Sequence, residues 1–225
     1  MNKPGAKTPK QTRGIVLTVL ALGVFITVIV WGFVHRISMP RVMTTTEMQV
    51  NGLYVLDTPR DFGEINLVDH HGEAFTNDRL EDKWTLVFFG FTHCPDICPV
   101  TMSFLTDLVE QLQGTEVEDT EVVMLSVDPA RDTVSQLAAY VPYFNPDFTG
   151  VTGEFLDIHR FATALNTPFR KLPGQGENYL VDHSGNIVLI NPKGDYHGFF
   201  KAPLDMAKMK VTYRSARAIW EAQHN

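Results

Sequence analysis

The sequence predicts an α/β fold, a central mixed sheet flanked by helices, carried behind one apolar N-terminal helix. Three observations point there. Residues 14–34 form an apolar run without a charge, long enough to cross the roughly 30 Å hydrocarbon core of a bilayer as a helix. Residues 84–91 are apolar almost throughout, as expected of a strand buried on both faces. Behind them Met102, Leu105, Leu108, Val109 and Leu112 recur at helical spacing, and strand-like and helix-like segments alternate from there on.

Lys3, Lys7, Lys10 and Arg13 precede the apolar run, and only Arg36 and Arg41 closely follow it. This asymmetry makes residues 1–13 a cytoplasmic tail, 14–35 a transmembrane anchor and the remainder external. A cleaved signal peptide competes with that reading. Its apolar core is usually about 7–15 residues, however, and no small-x-small cleavage site follows here. Residues 36–52 read as a tether, polar and short of large apolar groups from Thr44 onward. Residues 53–225 then make one domain of a size suited to a single core.

Within it, residues 65–68 and 74–76 flank the turn signal Asp69-His70-His71-Gly72 as a short hairpin. The strand at 84–91 precedes a helix at 101–112, and residues 121–127 form a second buried strand. Asp132 is placed to cap the next helix, with Gln136 in its first turn. Residues 155–165 are helical. Residues 179–181 and 187–190 are strands, Asn191-Pro192-Lys193-Gly194 turns into a strand at 196–200, and residues 203–220 close the chain as a helix. Parallel crossovers come early and an antiparallel pair late.

Charge narrows the function. Residues 1–41 hold six basic and no acidic residues, leaving 13 Lys+Arg against 26 Asp+Glu in the rest. So acidic a domain repels phosphates rather than displacing their counterions, which argues against nucleic acid as a partner.

Both cysteines of the chain lie in Cys94-Pro95-Asp96-Ile97-Cys98, directly after the apolar strand. A cysteine pair at the end of the first central strand, opening its helix, makes the domain thioredoxin-like. With Cys98 on a first helical turn, a spacing of four puts both thiols on one face. The helix dipole there favours thiolate. Pro99 suggests that this first turn is irregular or begins after Cys98. Two such thiols either exchange electrons as a dithiol/disulfide couple or hold a soft ion such as Cu(I), with an imidazole as third ligand. A plain structural disulfide is the blander alternative, although so small a loop gains little from a bridge. Among the histidines, His93 adjoins Cys94 but points apart from it as a neighbour. His70 and His71 read as solvated turn residues, and His159 as part of a helix. His197 falls late in a strand. His183, in Val181-Asp182-His183-Ser184, sits in a loop at a sheet end that can approach the cysteines. A peroxidase on this fold fits poorly, because Thr92 lies two residues before Cys94 rather than three and no arginine is near in sequence.

Three segments together carry a resemblance. Phe89-Gly90-Phe91-Thr92-His93-Cys94-Pro95-Asp96-Ile97-Cys98-Pro99, then Ser126-Val127-Asp128-Pro129-Ala130-Arg131-Asp132-Thr133, then Val181-Asp182-His183-Ser184 resemble the signature blocks of the Sco/SenC family, in order. The resemblance implies a membrane-anchored, thioredoxin-like copper protein that assists assembly of the CuA centre of cytochrome c oxidase. It implies Cys94, Cys98 and His183 as copper ligands, with Asp128 and Asp132 shaping the facing loop. The implied partners are the CuA-bearing oxidase subunit and a periplasmic copper donor or thiol reductant. The implied location is a bacterial inner membrane with the domain in the periplasm, in preference to the mitochondrial inner membrane. The same dithiol supports a second activity, a thiol–disulfide oxidoreductase that reduces the CuA cysteines, for which Cys94 and Cys98 suffice as the redox pair.

Overall fold

The computed structural model describes residues 9–38, 42–173, 176 and 179–224. The chain divides into two units, one ending at Arg41 and one beginning at Val42. The first is helix α1, Pro9–Ser38. Its stretch Arg13–Val34, 22 residues of mean hydropathy 2.6, is long and apolar enough to cross a membrane. Side chains such as Leu17, Phe25 and Phe33 are exposed along it. The start of the expected cytoplasmic tail, residues 1–8, lies outside the described residues, as do residues 39–41 of the expected tether.

The second unit is built on one sheet. Its strands are β1 (Leu53–Arg60), β2 (Leu67–Asp69), β3 (Ala74–Phe75), β4 (Trp84–Gly90), β5 (Thr120–Ser126), β6 (Thr149–Thr152), β9 (Ile187–Ile190) and β10 (Tyr196–Phe200). A separate small ribbon pairs β7 (Arg170–Lys171) with β8 (Val181–Asp182). The order across the large sheet is β1-β10-β9-β4-β5-β6-β2-β3. β4, β5 and β6 run parallel, while β9 lies antiparallel on the other side of β4. All seven positions of β4 are buried, the two-sided burial that its continuous apolar run demands. The helices are α2 (Thr45–Val50), α3 (Ile97–Leu112), α4 (Val134–Phe144), α5 (Phe155–Ala164) and α6 (Met206–His224). α3 packs against both α4 and α6, burying Met102, Leu105, Leu108 and Leu112 along the stripe that the sequence spacing marked out.

Four expectations change. The tether reading of residues 44–52 fails because Thr45–Val50 is helical. Thr44 caps it in a reciprocal capping box with Glu47, and Met48 is buried. The helix after the cysteines begins at Ile97, so Cys98 and Pro99 both lie in its first turn. Proline is tolerated there because first-turn N–H groups have no intrahelical acceptor. The cap of α4 is Thr133, whose hydroxyl accepts from Gln136 N; Asp132 is committed elsewhere. His70 is buried rather than solvated. Its ring Nδ1 accepts from the Gly150 N–H at 3.0 Å and its backbone N–H donates to Gly150 O at 2.7 Å, stitching the β2 turn to β6.

Candidate metal centre

The site forms where parallel strands β4 and β5 end. Beyond Gly90 the segment 91–96 has no regular structure and carries Cys94, half-buried; α3 then begins and carries Cys98, fully buried. Gly90 makes this handover possible, because a Cβ on it would stand 2.6 Å from Phe88 Cε1 and 3.3 Å from Cys98 Sγ. The third group arrives from a different part of the chain. The β7–β8 ribbon delivers His183 just past Asp182, and its Nε2 lies 3.7 Å from Cys98 Sγ. The donor atoms of Cys94, Cys98 and His183 all fall within 4.8 Å of one another.

The imidazole is oriented from behind. His183 Nδ1 is 3.0 Å from the Ser184 carbonyl; as a carbonyl only accepts, Nδ1 carries the proton and Nε2 presents its lone pair to the thiols. Phe88 and Phe91 hold the ring edge-on, at 6.1 and 5.9 Å between centroids. Burial lowers the pKa of His183, with the Ser184 carbonyl and Asp182 acting in the opposite direction. The ring therefore stays neutral and ready to donate.

Cys98 departs from the sequence expectation. Burial pushes its thiol well above the ordinary range, a backbone hydrogen bond at Phe91 opposes this, and Cys94 and Asp132 add to the rise. The helix N-terminus does favour thiolate, but desolvation of a fully buried sulfur is the larger effect. The proton on Cys98 is thus one that a metal or a disulfide must displace.

The donor set suits a soft ion. Two thiolates and one imidazole favour Cu(I) over hard cations. Donors about 2.0–2.3 Å from one ion stand roughly 3.5–4 Å apart in trigonal geometry, and the Cys98–His183 separation falls in that range. A depression of ≈ 400 Å³ bounded by Phe169, Arg170, Asp182 and His183 opens beside the imidazole. A cavity of similar volume, ≈ 410 Å³, lies at the far end of the sheet among Met48, His197 and Trp220. It contains no thiol, and Cys94, Cys98 and His183 form the one cluster of metal-binding type among the described residues.

The other histidines fall away. His93 contacts Thr92 and approaches Asp132 at 3.7 Å. His71 is exposed beside His70. His159 lies on α5 as expected, exposed against Phe155 and Phe169. His197 is buried in β10 edge-on to Trp84. The sequence reading did not find the roles of Gly90, Phe88, Phe91 and Ser184 at the site. Each looked like ordinary strand or turn material, and only the fold shows which atoms they meet.

Comparison with known proteins adds an independent line. The SCO1/SenC family pattern matches residues 57–216. A putative copper-binding protein of Stutzerimonas stutzeri is 38% identical over 152 residues, 68% of this chain and 74% of that protein. Protein SCO1 homolog 1, mitochondrial, of Arabidopsis thaliana is 36% identical over 138 residues, 61% of this chain but only 41% of that protein. Among solved structures, Arabidopsis thaliana ScoI with copper bound superposes with a TM-score of 0.64 at 33% identity, covering 71% of this chain and 98% of that one.

Proposed function

Since the chain belongs to the SCO1/SenC family, we propose that it is a membrane-anchored copper chaperone that assists assembly of the CuA centre of cytochrome c oxidase. Cys94, Cys98 and His183 hold the copper, which is cargo to be handed on. The observation that carries this reading is the meeting of two thiols and a neutral imidazole, from segments 85 residues apart, within 4.8 Å. Residues 14–35 serve as the anchor, with the domain in the periplasm of a bacterium. A periplasmic donor supplies the copper. Transfer proceeds by exchange of ligands, as cysteines of the oxidase subunit replace Cys94, the more accessible thiol, and then Cys98. Ile97 and Val100, exposed on the same first turn of α3, offer apolar surface for that encounter.

The accessible Cys94 beside the buried Cys98 also supports a second activity, reduction of the acceptor's disulfide. Cys94 attacks one sulfur of the acceptor, a mixed disulfide forms, and Cys98 displaces it. Two electrons and two protons pass to the acceptor while Cys94–Cys98 becomes the disulfide. A periplasmic thiol reductant restores the dithiol.

Anaerobic titration of the reduced chain with Cu(I), against a competing chelator, tests the principal reading. The parent takes up one equivalent. His183→Ala keeps the dithiol and loses at least about a hundredfold in affinity, given that even outer-shell partners are worth 10- to 100-fold. Equal affinity of parent and variant would sink the three-ligand site. If His183→Ala still supports oxidase assembly, the reductase activity is the physiological one.

A further inference from the structure

The two arms of the site are held by one loop. Asp132, in the stretch after β5, is completely buried. It accepts hydrogen bonds from the Thr92 backbone N–H at 2.9 Å, from the Thr92 hydroxyl at 2.7 Å and from Ser126 Oγ at 2.7 Å. Thr92 stands two residues before Cys94. Ser126 Oγ in turn accepts from the Asp128 N–H at 3.0 Å, and Asp128 accepts from the Tyr179 hydroxyl at 2.5 Å and from Arg131. Arg131 also donates to the Tyr179 carbonyl at 2.9 Å and lies over its ring at 3.7 Å. Tyr179 leads into β8 and so into His183. The dithiol segment and the imidazole segment meet directly where Phe91 lies edge-on to His183, and each is tied separately by hydrogen bonds to residues 126–132.

We propose that residues 126–132 form a two-armed clamp for the metal centre, with Asp132 the positioning residue for Cys94, through Thr92, and Tyr179 the positioning residue for His183. This rests on the functional reading only for the role of the three donors. Cys98 is fixed in α3 and packed at Gly90, so closing a disulfide, with sulfurs about 2.05 Å apart, falls to Cys94, which the irregular segment 91–96 carries. Thr92 is the point at which that segment is latched. The latch therefore favours the open dithiol, the form able to receive copper, over the bridge.

The test needs no copper. The full chain in detergent micelles is equilibrated with mixtures of glutathione and glutathione disulfide. Each Cys94–Cys98 bridge formed sends two electrons and two protons to one glutathione disulfide, leaving two glutathione thiols. Thr92→Val is expected to move the equilibrium three- to tenfold toward the bridge; tenfold corresponds to about 30 mV in a two-electron couple. Thr92→Ser restores the hydroxyl and the parent value. Asp132→Asn, which loses an acceptor oxygen, moves it at least as far as Thr92→Val, and if that variant does not fold, Thr92→Val decides. Tyr179→Phe leaves the equilibrium within twofold but shifts the ¹⁵N resonances of the His183 ring, which Thr92→Val does not. A folded Thr92→Val protein with the parent's equilibrium overturns the Asp132 arm. An unmoved His183 resonance in Tyr179→Phe overturns the Tyr179 arm, and equal effects of the two variants on both readouts overturn the division into arms. Absence of copper binding would refute the functional reading and leave these outcomes intact.

Discussion

Gly90 is the residue on which strand, thiol and imidazole converge. Any side chain there meets the Phe88 ring first, at 2.6 Å, and Phe88 itself lies edge-on to His183. Gly90→Ala must therefore displace a fully buried aromatic, a form of overpacking that costs about 1–3 kcal/mol. It should also loosen the imidazole. The expected result is a lower denaturation midpoint together with weaker Cu(I) retention; a variant matching the parent in both would refute the packing argument. At this scale the sequence was informative about donors and silent about their surroundings. Two cysteines at a spacing of four after a buried strand mark a dithiol and leave open whether it exchanges electrons or holds a soft ion. The proton affinity of Cys98 does not follow from its helical position, because burial depends on what the fold lays over the sulfur. Asp132 illustrates the same limit. Next to a helix start it read as a cap, whereas Thr133 performs that role and the carboxylate turns inward to Thr92.

Among the elements, those with long apolar patterns were legible and the short ones were not. β4, α3 and β9 could be placed from hydrophobic spacing alone, since each buries most of one face or both. β6, four residues long, has no period to detect, and its strand character comes from pairing with β5 and β2. α2 is the instructive case. Its six residues contain one buried side chain, too few for a periodic signal. The Thr44-x-x-Glu47 capping box was the available sign. Because Met48 is 1% exposed, Met48→Ala should cost about 2–5 kcal/mol. Thr44→Ala should cost about 1 kcal/mol. Urea denaturation measures both, and a truly tethering segment would show neither loss. The consequence is that the folded unit begins at Val42, where Met43 N already donates to Ser215 Oγ, and not after Gly52.

Burial sets a pH dependence for the whole domain at the end of the sheet remote from the thiols. His197 is buried in β10, edge-on to Trp84 at 5.0 Å between centroids, with its Nδ1 lacking a hydrogen-bond partner among the described residues. Burial, assisted by the nearby His224, lowers its pKa to about 4. The unfolded chain offers an ordinary imidazole of pKa near 6.5, so between these values the unfolded state binds the additional proton. Stability therefore rises with pH across that window and is lost as pH falls from about 6.5 toward 4. The magnitude is on the order of 3 kcal/mol for a shift of this size. His70, whose pKa is also lowered by burial, acts in the same direction. Carboxylates contribute below about pH 5 as well, so the His197 share must be isolated by difference. His197→Phe keeps an aromatic ring against Trp84 and removes the titration. In urea denaturation between pH 7 and 4.5, the parent should lose more stability than this variant, with the gap opening below about pH 6.5. Parallel curves for the two proteins would mean that His197 takes up no proton on unfolding, and that the acid sensitivity of the domain lies with its carboxylates.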